Sequence, residues 1–166
     1  FDKQEFENFK VNLKNNEDVI IDFRTYPESR FISNAMNKLN TGKNFLYYWR
    51  KLKKKKVGEY TNEKVYSSKK SNYSGKLSVL INRATQSWSE FLVLEVINRK
   101  NFEIIGTYSA NAIGSCDYLL PLPGNFFFRT TTDFGVPTTK KYDPEKGIVP
   151  DIFINDWEME SFLKSR

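Results

Sequence analysis

The stretch Thr85-Gln86-Ser87-Trp88-Ser89-Glu90 decides the fold, because it joins a segment typical of a strand to one typical of a helix. Residues 77–81 before it form a mainly apolar run that predicts a buried strand, and residues 91–97 after it predict a helix. At such a junction the first N–H groups of the helix lack partners, and the positive end of the helix dipole lies nearby. A serine nucleophile placed there has donors for an oxyanion beside it.

The same residues also support a simpler role for this serine. Ser87 is followed three positions later by Glu90, and this spacing is that of a capping box, in which both side chains satisfy N–H groups at a helix start. Caps of this kind are common. The six residues alone therefore leave both interpretations open, a structural cap and a nucleophile.

Composition predicts one globular domain. The chain has 166 residues, 39% hydrophobic and 16% aromatic, which is enough to build a real core and is unlike a disordered chain. No apolar run approaches the roughly 20 residues that span a bilayer, so stable membrane insertion is not expected. No signal peptide is visible, and the chain begins with Phe1 rather than Met. We therefore expect a processed chain or a fragment, from which a targeting segment could have been lost upstream.

Much of the net charge of +6 comes from one lysine-rich tract, residues 51–56, with Lys69 and Lys70 beyond it. One hypothesis is a basic binding protein, whose binding to nucleic acid or anionic lipid would depend strongly on salt. A solvated loop or hairpin is favoured instead, because no recognised nucleic-acid module surrounds the tract. Cys116 is the one cysteine of the sequence, which excludes an internal disulfide. Because the sequence also has no histidine, a zinc site within the chain is not expected.

The chain in order predicts an α/β fold with a mainly parallel sheet and flanking β hairpins. Helices are predicted at 3–15, 31–39, 87–98 and 157–163, and strands at 18–23, 45–49, 77–81 and 102–105. The stretch 51–75 is expected to be an extended excursion with weak structure or a hairpin. Short strand-like runs follow at 117–122, 126–132 and 134–139, and the segment 147–152 leads to a final short strand. The aromatic run 126–128 is expected to pack within its hairpin, and an apolar substrate pocket is the less favoured alternative.

Five motifs then occur in a fixed order along residues 18–154. They are Asp22-Phe23-Arg24-Thr25-Tyr26-Pro27, the stretch 85–90, Ile105-Gly106-Thr107-Tyr108-Ser109-Ala110-Asn111, Leu122-Pro123-Gly124 and Gly147-Ile148-Val149-Pro150-Asp151-Ile152. In this order they resemble the catalytic core of the tail-specific, C-terminal-processing serine peptidases. The similarity is strongest to the tricorn-like and interphotoreceptor-retinoid-binding-protein-like members of Bacteroidetes.

This resemblance implies a crotonase-like core of β-β-α units, in which residues 1–166 form a single catalytic-core domain from the C-terminal part of a longer protein. It implies hydrolysis of a protein or peptide substrate through an acyl-enzyme, without a cofactor. Ser87 would be the nucleophile and the Trp88 N–H an oxyanion donor, with a second donor near Glu28 or Ser29. Glu145 would match an acidic residue that orients the base. The family also implies a periplasmic or cell-envelope location and no nucleic-acid partner.

The sequence departs from the family at the general base. In the processing peptidases the base is a lysine, and the matching position here is Ala112; the tricorn-like branch uses a histidine, and this chain has none. The family turn T-A-G has also become Ser109-Ala110-Asn111. Two hypotheses follow: a serine peptidase whose base lies outside this chain, and a pseudo-peptidase that binds peptides or another ligand through the same cleft. Neither the peptide specificity nor the oligomeric state is predicted.

Overall fold

The computed structural model describes residues 3–15, 17–27, 31–39, 45–53, 58–66, 71–115 and 118–166. Four helices and twelve strands lie within these ranges. In chain order they are α1 (Lys3–Lys14), β1 (Val19–Asp22), α2 (Phe31–Leu39), β2 (Phe45–Leu52), β3 (Tyr60–Tyr66), β4 (Leu77–Ile81), α3 (Trp88–Val96), β5 (Phe102–Gly106), β6 (Gly114–Ser115), β7 (Tyr118–Leu122), β8 (Phe126–Thr130), β9 (Asp133–Pro137), β10 (Tyr142–Asp143), β11 (Gly147–Ile148), β12 (Ile152–Phe153) and α4 (Asp156–Lys164).

A parallel sheet with the order β1-β4-β5-β12 forms the centre of the molecule. Strand β4 pairs with both of its neighbours in parallel, so that Leu77 lies opposite Val19 on one side and Phe102 on the other. All five residues of β4 are buried. An apolar run without polar alternation is what a strand covered on both faces requires, and this confirms the prediction made from residues 77–81.

The two faces of this sheet bury two separate apolar clusters. Successive side chains of a strand point to opposite faces, so Leu77, Val79 and Ile81 pack against α2 and α3 in the main core. Leu80 points the other way and packs with Ile105 and Met159 beneath α4. Helix α3 is apolar almost all round and buries most of its length, as its sequence predicted.

Strands β4 and β5 end unusually close together at Gly106. Its φ is 130°, and a Cβ atom there would lie 1.9 Å from the carbonyl oxygen of Ile81. Only glycine tolerates this backbone and this contact. Just beyond, the Thr107 N–H donates to the same Ile81 oxygen at 3.1 Å. The loops that follow β4 and β5 therefore leave the sheet side by side.

A second, antiparallel sheet has the order β3-β2-β9-β6. Of the two alternatives expected after residue 51, weak structure or a hairpin, the hairpin is confirmed for part of that stretch, because β2 continues to Leu52 and pairs antiparallel with β3. Within this hairpin Lys51 lies 2.9 Å from Glu63 and Lys53 lies 3.3 Å from Glu59. These two lysines of the basic tract are thus neutralised by cross-strand glutamates. The rest of the tract, Lys69, Lys70 and Cys116 lie outside the described residues.

Strands β7 and β8 form a separate two-stranded hairpin. Its aromatic run was expected to be packed, and that expectation is wrong, since Phe126, Phe127 and Phe128 are 69%, 64% and 56% exposed. The physical reason is the topology. A two-stranded ribbon has two faces, and none of the other described strands pairs with it to add a covering layer.

The predicted fold class is confirmed as a mixed α/β structure with a four-stranded parallel sheet and flanking antiparallel hairpins. The crotonase-like repetition of β-β-α units stays a prediction. The helices of the described residues are all too short or too polar to cross a bilayer.

Candidate functional site

Ser87 is the N-cap residue of α3 and has an unusual backbone conformation. Its φ and ψ are 51° and −114°, and its side chain is half-buried. A positive φ is uncommon for a residue with a Cβ atom and costs on the order of 1–3 kcal/mol outside the favoured regions. The capping box is formed, and the Ser87 N–H donates to Glu90 Oε2 at 3.1 Å. The cap interpretation is therefore correct, but an ordinary cap adopts extended backbone and needs no positive φ.

The first turn of α3 leaves one N–H group available to a ligand. The Ser89 N–H donates to the Gln86 oxygen at 3.1 Å and the Phe91 N–H donates to the Ser87 oxygen at 3.2 Å. The Trp88 N–H has no hydrogen-bond partner anywhere in the described part of the chain. Because the N–H of Ser87 is used by Glu90, the donor of α3 that remains for an oxyanion is that of Trp88, the residue predicted for this role.

Glu90 is the centre of the site. Its side chain is 0% exposed and accepts four hydrogen bonds. Oε2 accepts from the N–H groups of Ser87 at 3.1 Å and Ala112 at 2.9 Å. Oε1 accepts from the Ser109 hydroxyl at 2.5 Å and the Asn111 N–H at 3.0 Å. One carboxylate therefore fixes the position of the serine relative to the loop that follows β5.

The electrostatic environment of Glu90 is a balance of two effects. Burial raises the pKa of the Glu90 carboxyl above its ordinary value, because removal from water disfavours the charged form. The four hydrogen bonds act in the opposite direction, since each donor stabilises the carboxylate. The carboxyl is thus tolerated in the core only because every lone-pair direction has a donor.

Ser109 links the Glu90 carboxylate to β11. Its hydroxyl accepts a hydrogen bond from the Ile148 N–H at 2.7 Å while it donates to Glu90. The approach requires Gly147, whose φ is 94° and where a Cβ atom would lie 2.4 Å from Ser109 Oγ. The change from the family threonine to Ser109 keeps the hydroxyl that this arrangement needs.

Asn111 stands where the family turn has a glycine, and its backbone is in the left-handed region. Its φ is 61°, and asparagine tolerates this left-handed region better than other residues that carry a Cβ atom. Its side chain donates to the Pro144 oxygen at 2.9 Å and accepts from the Tyr142 hydroxyl. Burial first, and then the negative charges of Glu90 and Asp143, raise the pKa of Tyr142 to about 12.

Thr85 fixes the loop between β4 and α3. Its side chain is 0% exposed, donates to the Phe23 oxygen at 2.8 Å and accepts from the Asn82 N–H at 3.0 Å. Its carbonyl accepts the Ala110 N–H at 2.9 Å. The first residue of the motif thus joins the end of β1, the serine loop and the loop after β5.

The structure places Glu145 on the exposed turn between β10 and β11. This turn is attached to the site, because its neighbours accept hydrogen bonds, Pro144 from Asn111 and Lys146 from Arg83. The role of Glu145 in orienting a base stays a prediction. Glu28 and Ser29, the predicted second oxyanion donors, lie outside the described residues, so that assignment also stays a prediction.

Other charged residues near the sheet end have structural partners. Arg24 pairs with Asp22 at 2.7 Å and approaches Asp156 at 3.8 Å. Asp151 accepts from the Ile104 N–H at 2.8 Å and from Lys141 at 2.7 Å. Within the ranges that the structure describes, no group of three His, Cys, Asp or Glu side chains is arranged to hold a metal ion.

Sequence reasoning singled out Ser87 and Trp88, whose catalytic roles stay predictions. It missed the hydrogen bonds of Glu90 to the loop after β5, because it derived for this residue only a role in the cap. The partners of Glu90 at 109, 111 and 112 are about twenty residues away, and no local spacing predicts them. Tyr142 was also missed, and nothing in its sequence context marks it.

The sequence model of peptidase family S41 matches residues 1–154. A search of curated proteins finds no match.

Solved structures show the same fold at low sequence identity. A protein of Parabacteroides merdae ATCC 43184, thought to be a peptidase, superposes with a TM-score of 0.72 at 16% identity over 99% of this chain and 53% of that one. Mature CPAF complexed with lactacystin gives 0.68 at 15% identity, with 99% and 47% covered. The photosystem II D1 C-terminal processing protease gives 0.60 at 17% identity, with 93% and 40% covered.

This chain spans about half the length of the similar structures, or less, so these likenesses concern one part of each protein. The family model matches residues 1–154, a range that includes all five motifs and every residue that donates a hydrogen bond to Glu90. The chain belongs to peptidase family S41.

Proposed function

We propose that this chain carries the nucleophile of a serine-type endopeptidase, and that the general base comes from outside these residues. The observation that carries the proposal is the conformation of Ser87, with a φ of 51° at the start of α3 and beside it the N–H of Trp88, which no described residue accepts. Strained backbone of this kind persists where the surrounding structure fixes it, and here Glu90 does so.

The reaction would proceed by acyl transfer. Ser87 Oγ attacks the peptide carbonyl carbon while its proton passes to the base, and the Trp88 N–H stabilises the oxygen that becomes negative. The base then gives the proton to the leaving amine, which releases the C-terminal product. Water hydrolyses the acyl-serine ester and restores the hydroxyl. The substrate is a protein or a peptide, and no cofactor takes part.

A second candidate function follows from the residue at the position of the family's general base. A serine hydroxyl at neutral pH needs a base within hydrogen-bond reach. The position of the family lysine is Ala112, whose N–H donates to Glu90, and the sequence contains no histidine. This observation favours a pseudo-peptidase that binds peptides through the same cleft. We rank it second, because simple peptide binding gives no reason for the strain at Ser87.

The roles of the remaining residues belong to the same proposal. The turn that carries Glu145 is tied to the site through Asn111 and Arg83, which supports a role for its carboxylate in orienting an incoming base. The segment at Glu28 and Ser29 would supply a second oxyanion donor. Family resemblance also supports a periplasmic or cell-envelope location, which fractionation of the native cells tests.

A fluorophosphonate probe distinguishes the two functions, because it labels only an activated serine. We expect labelling of the longest natural chain that contains these residues, located at Ser87 by mass spectrometry. Ser87→Ala should abolish it, and Ser161→Ala, at an exposed serine of α4, should retain it. The 166-residue chain alone should not react. If the longest chain stays unlabelled while a related active peptidase reacts, the peptidase proposal fails and the pseudo-peptidase takes its place.

A further inference from the structure

The hairpin β7–β8 exposes a large apolar surface that neither the parallel sheet nor the proposed chemistry uses. Besides the exposed phenylalanines at 126–128, Leu119, Leu120 and Leu122 are 53%, 41% and 48% exposed. The three phenylalanines alone present about 400 Å² of apolar surface, to which the leucines add. Monomeric proteins rarely carry larger patches, and a patch of this size commonly marks an interaction site. We therefore looked for the partner that this hairpin fits.

Pro121 fixes which backbone groups of the hairpin point outward. It lies opposite Phe127, and Leu119 lies opposite Arg129. Residues opposite each other in an antiparallel ladder alternate between hydrogen-bonded and non-hydrogen-bonded pairs. Because proline has no N–H to donate, the pair of Pro121 and Phe127 is non-hydrogen-bonded, and so is the pair two residues further along. The N–H and C=O groups of Phe127 and Arg129 therefore point away from β7.

The outer edge of β8 is open to a further strand, whereas that of β7 is interrupted. The outward N–H groups of Phe127 and Arg129 have no acceptor among the described residues, and β8 contains no proline. Position 121 on the outer edge of β7 is a proline, which cannot donate to a ladder. Because unpaired edge groups are a template for another chain, the hairpin can accept a strand along β8.

The sequence of β8, Phe126-Phe127-Phe128-Arg129-Thr130, is complementary to itself when two copies run antiparallel about Phe128. Phe127 then lies opposite Arg129 of the second copy, and their outward N–H and C=O groups exchange hydrogen bonds on both sides of the two-fold axis. Each guanidinium comes to lie beside a phenyl ring, which attracts it. A register centred on Arg129 would instead place like charges opposite each other.

Phe128 lies on the axis of this arrangement. Its own N–H and C=O groups point toward β7, so Phe128 and Phe128 of the second copy form a non-hydrogen-bonded pair. The side chains of such a pair are closer together than those of a hydrogen-bonded pair, and two aromatic rings stabilise it. The most apolar part of β8 thus gains a neighbour on the side that is open in a single copy.

We infer that β8 is a dimerisation strand, which joins two copies of this chain in a sheet of the order β7-β8-β8-β7. Pro121 then lies on both outer edges, so that a third copy does not add and the assembly closes with two-fold symmetry. Two five-residue strands bury less than the roughly 800 Å² per partner of a standard interface, so we expect a dissociation constant in the micromolar range. This inference does not depend on the proposed catalysis, because Ser87 is not part of the hairpin.

Disulfide cross-linking locates the two-fold axis. The protein is the longest natural chain that contains these residues, with every native cysteine, Cys116 among them, replaced by serine. Phe128→Cys should form a covalent dimer on oxidation with copper phenanthroline, because the Cα atoms at 128 of the two copies lie about 4.5 Å apart. Phe126→Cys is the matched control, since position 126 is the more exposed of the two. Its counterpart lies about 14 Å away along the strand, so it should cross-link at least about tenfold more slowly.

Sedimentation velocity tests which edge pairs. The wild-type chain should change from monomer to dimer between about 1 and 100 µM. Phe127→Pro removes an outward N–H without removing a bond of the hairpin itself, and it should weaken the dimer about tenfold or more. Leu119→Pro makes the same change on the outer edge of β7 and should leave the dissociation constant unchanged. If Phe127→Pro fails to fold, the cross-linking result alone decides.

A wild-type chain that stays monomeric at about 100 µM, or equal cross-linking at 126 and 128, overturns the inference. In a monomer, slow hydrogen exchange at the Phe127 and Arg129 amides would show that another segment of the longer chain pairs with β8. Flotation of the monomer with phosphatidylglycerol vesicles would show that a lipid surface covers the hairpin. Either result replaces the dimer. Fluorophosphonate labelling at Ser87 tests the proposed function separately, so each can fail without the other.

Discussion

Helices α3 and α4 begin with the same device in two different environments. Both have nine residues, and both start with a capping box, Ser87 with Glu90 and Asn155 with Glu158. Asn155 has φ and ψ of −74° and 155°, an ordinary extended cap, whereas Ser87 has 51° and −114°. Glu158 is exposed, and Glu90 is fully buried. The capping box therefore explains why serine and glutamate occur at positions 87 and 90. It does not explain the backbone conformation of Ser87.

The difference lies in what the glutamate binds besides its own helix. Glu158 accepts from Asn155 alone, with the N–H at 3.4 Å and the side-chain amide at 2.9 Å, among the bonds that the structure describes for it. Glu90 accepts also from the loop after β5. A cap that reaches only its own helix can relax, whereas one held by a second loop is fixed in a conformation that the rest of the fold imposes.

The largest expected effect follows replacement of each glutamate. Glu90→Gln turns one acceptor oxygen into a donor that faces buried N–H groups, so we expect the free energy of unfolding to fall by about 2–3 kcal/mol. Glu158→Gln should lower it by less than about 1 kcal/mol, because water replaces the lost bond. Urea unfolding followed by circular dichroism measures both. Equal losses would contradict the claim that the two boxes differ.

A smaller effect is expected at the glycine that lets β11 approach Ser109. Gly147→Ala should lower the free energy of unfolding by about 2 kcal/mol, because the new Cβ adds a clash with Ser109 Oγ to the strain of a positive φ. Gly58→Ala has similar strain, with a φ of 79°, but meets nothing within 4 Å. It should lose only about 1 kcal/mol. If both lose the same amount, crowding around Ser109 does not matter.

Replacement of each N-cap residue by glycine should change the free energy of unfolding in opposite directions, because only Ser87 has a strained backbone. Ser87→Gly should raise the free energy of unfolding by about 0.5–1 kcal/mol, because glycine adopts a φ of 51° without a Cβ penalty. Asn155→Gly should lower it by a few tenths of a kcal/mol, as caps in ordinary geometry do. The thermal midpoints of the two variants measure these changes. A loss of stability in Ser87→Gly would show that the backbone at Ser87 is not strained.

The smallest effect concerns Glu103 of β5, which forms ion pairs with Lys76 and with Arg166, the residue two positions beyond α4. Burial alone raises the pKa of Glu103, but hydrogen bonds from Arg166, Ser78 and Lys76 outweigh it and lower the pKa to about 2. A lowered pKa adds stability that is present above the unfolded value, near 4.5, and is lost as the pH falls toward 2. Lys76 and Arg166 are partly exposed, so Glu103→Gln should cost only a few tenths of a kcal/mol at pH 7, about 0.3–0.5 kcal/mol.

The pH dependence checks this prediction. The difference in urea midpoint between the wild type and Glu103→Gln should shrink from pH 6 to pH 3, because the carboxylate of the unfolded chain takes up a proton below its pKa near 4.5, while that of the folded chain stays ionised until about 2. A difference that stays constant over this range would show that the low pKa of Glu103 adds nothing to stability.

Local patterns predicted the elements around the site, and long-range packing accounts for the errors. The apolar run 77–81 and the box at 87–90 predicted β4 and α3, because both signals lie within a few residues. The packing of Phe126 to Phe128 was predicted wrongly, because an apolar strand carries no sign of whether another layer will cover it. Three of the four donors to Glu90 lie in the loop after β5, which the parallel sheet and the Thr85 carbonyl hold beside the serine loop, so no local sequence window contains all four.

The order of the parallel sheet also bears on how fast the site forms. Val19 pairs with Leu77, and Ile105 pairs with Ile152, so two of the three strand pairs close long loops of chain. Loop closure costs entropy before any contact repays it, and folds dominated by such distant pairings assemble slowly. The backbone at Ser87 is not fixed in its observed conformation until β5 has paired with β4 and the loop after β5 donates its hydrogen bonds to Glu90. A newly made chain therefore lacks the strained backbone conformation at Ser87 for most of its folding time.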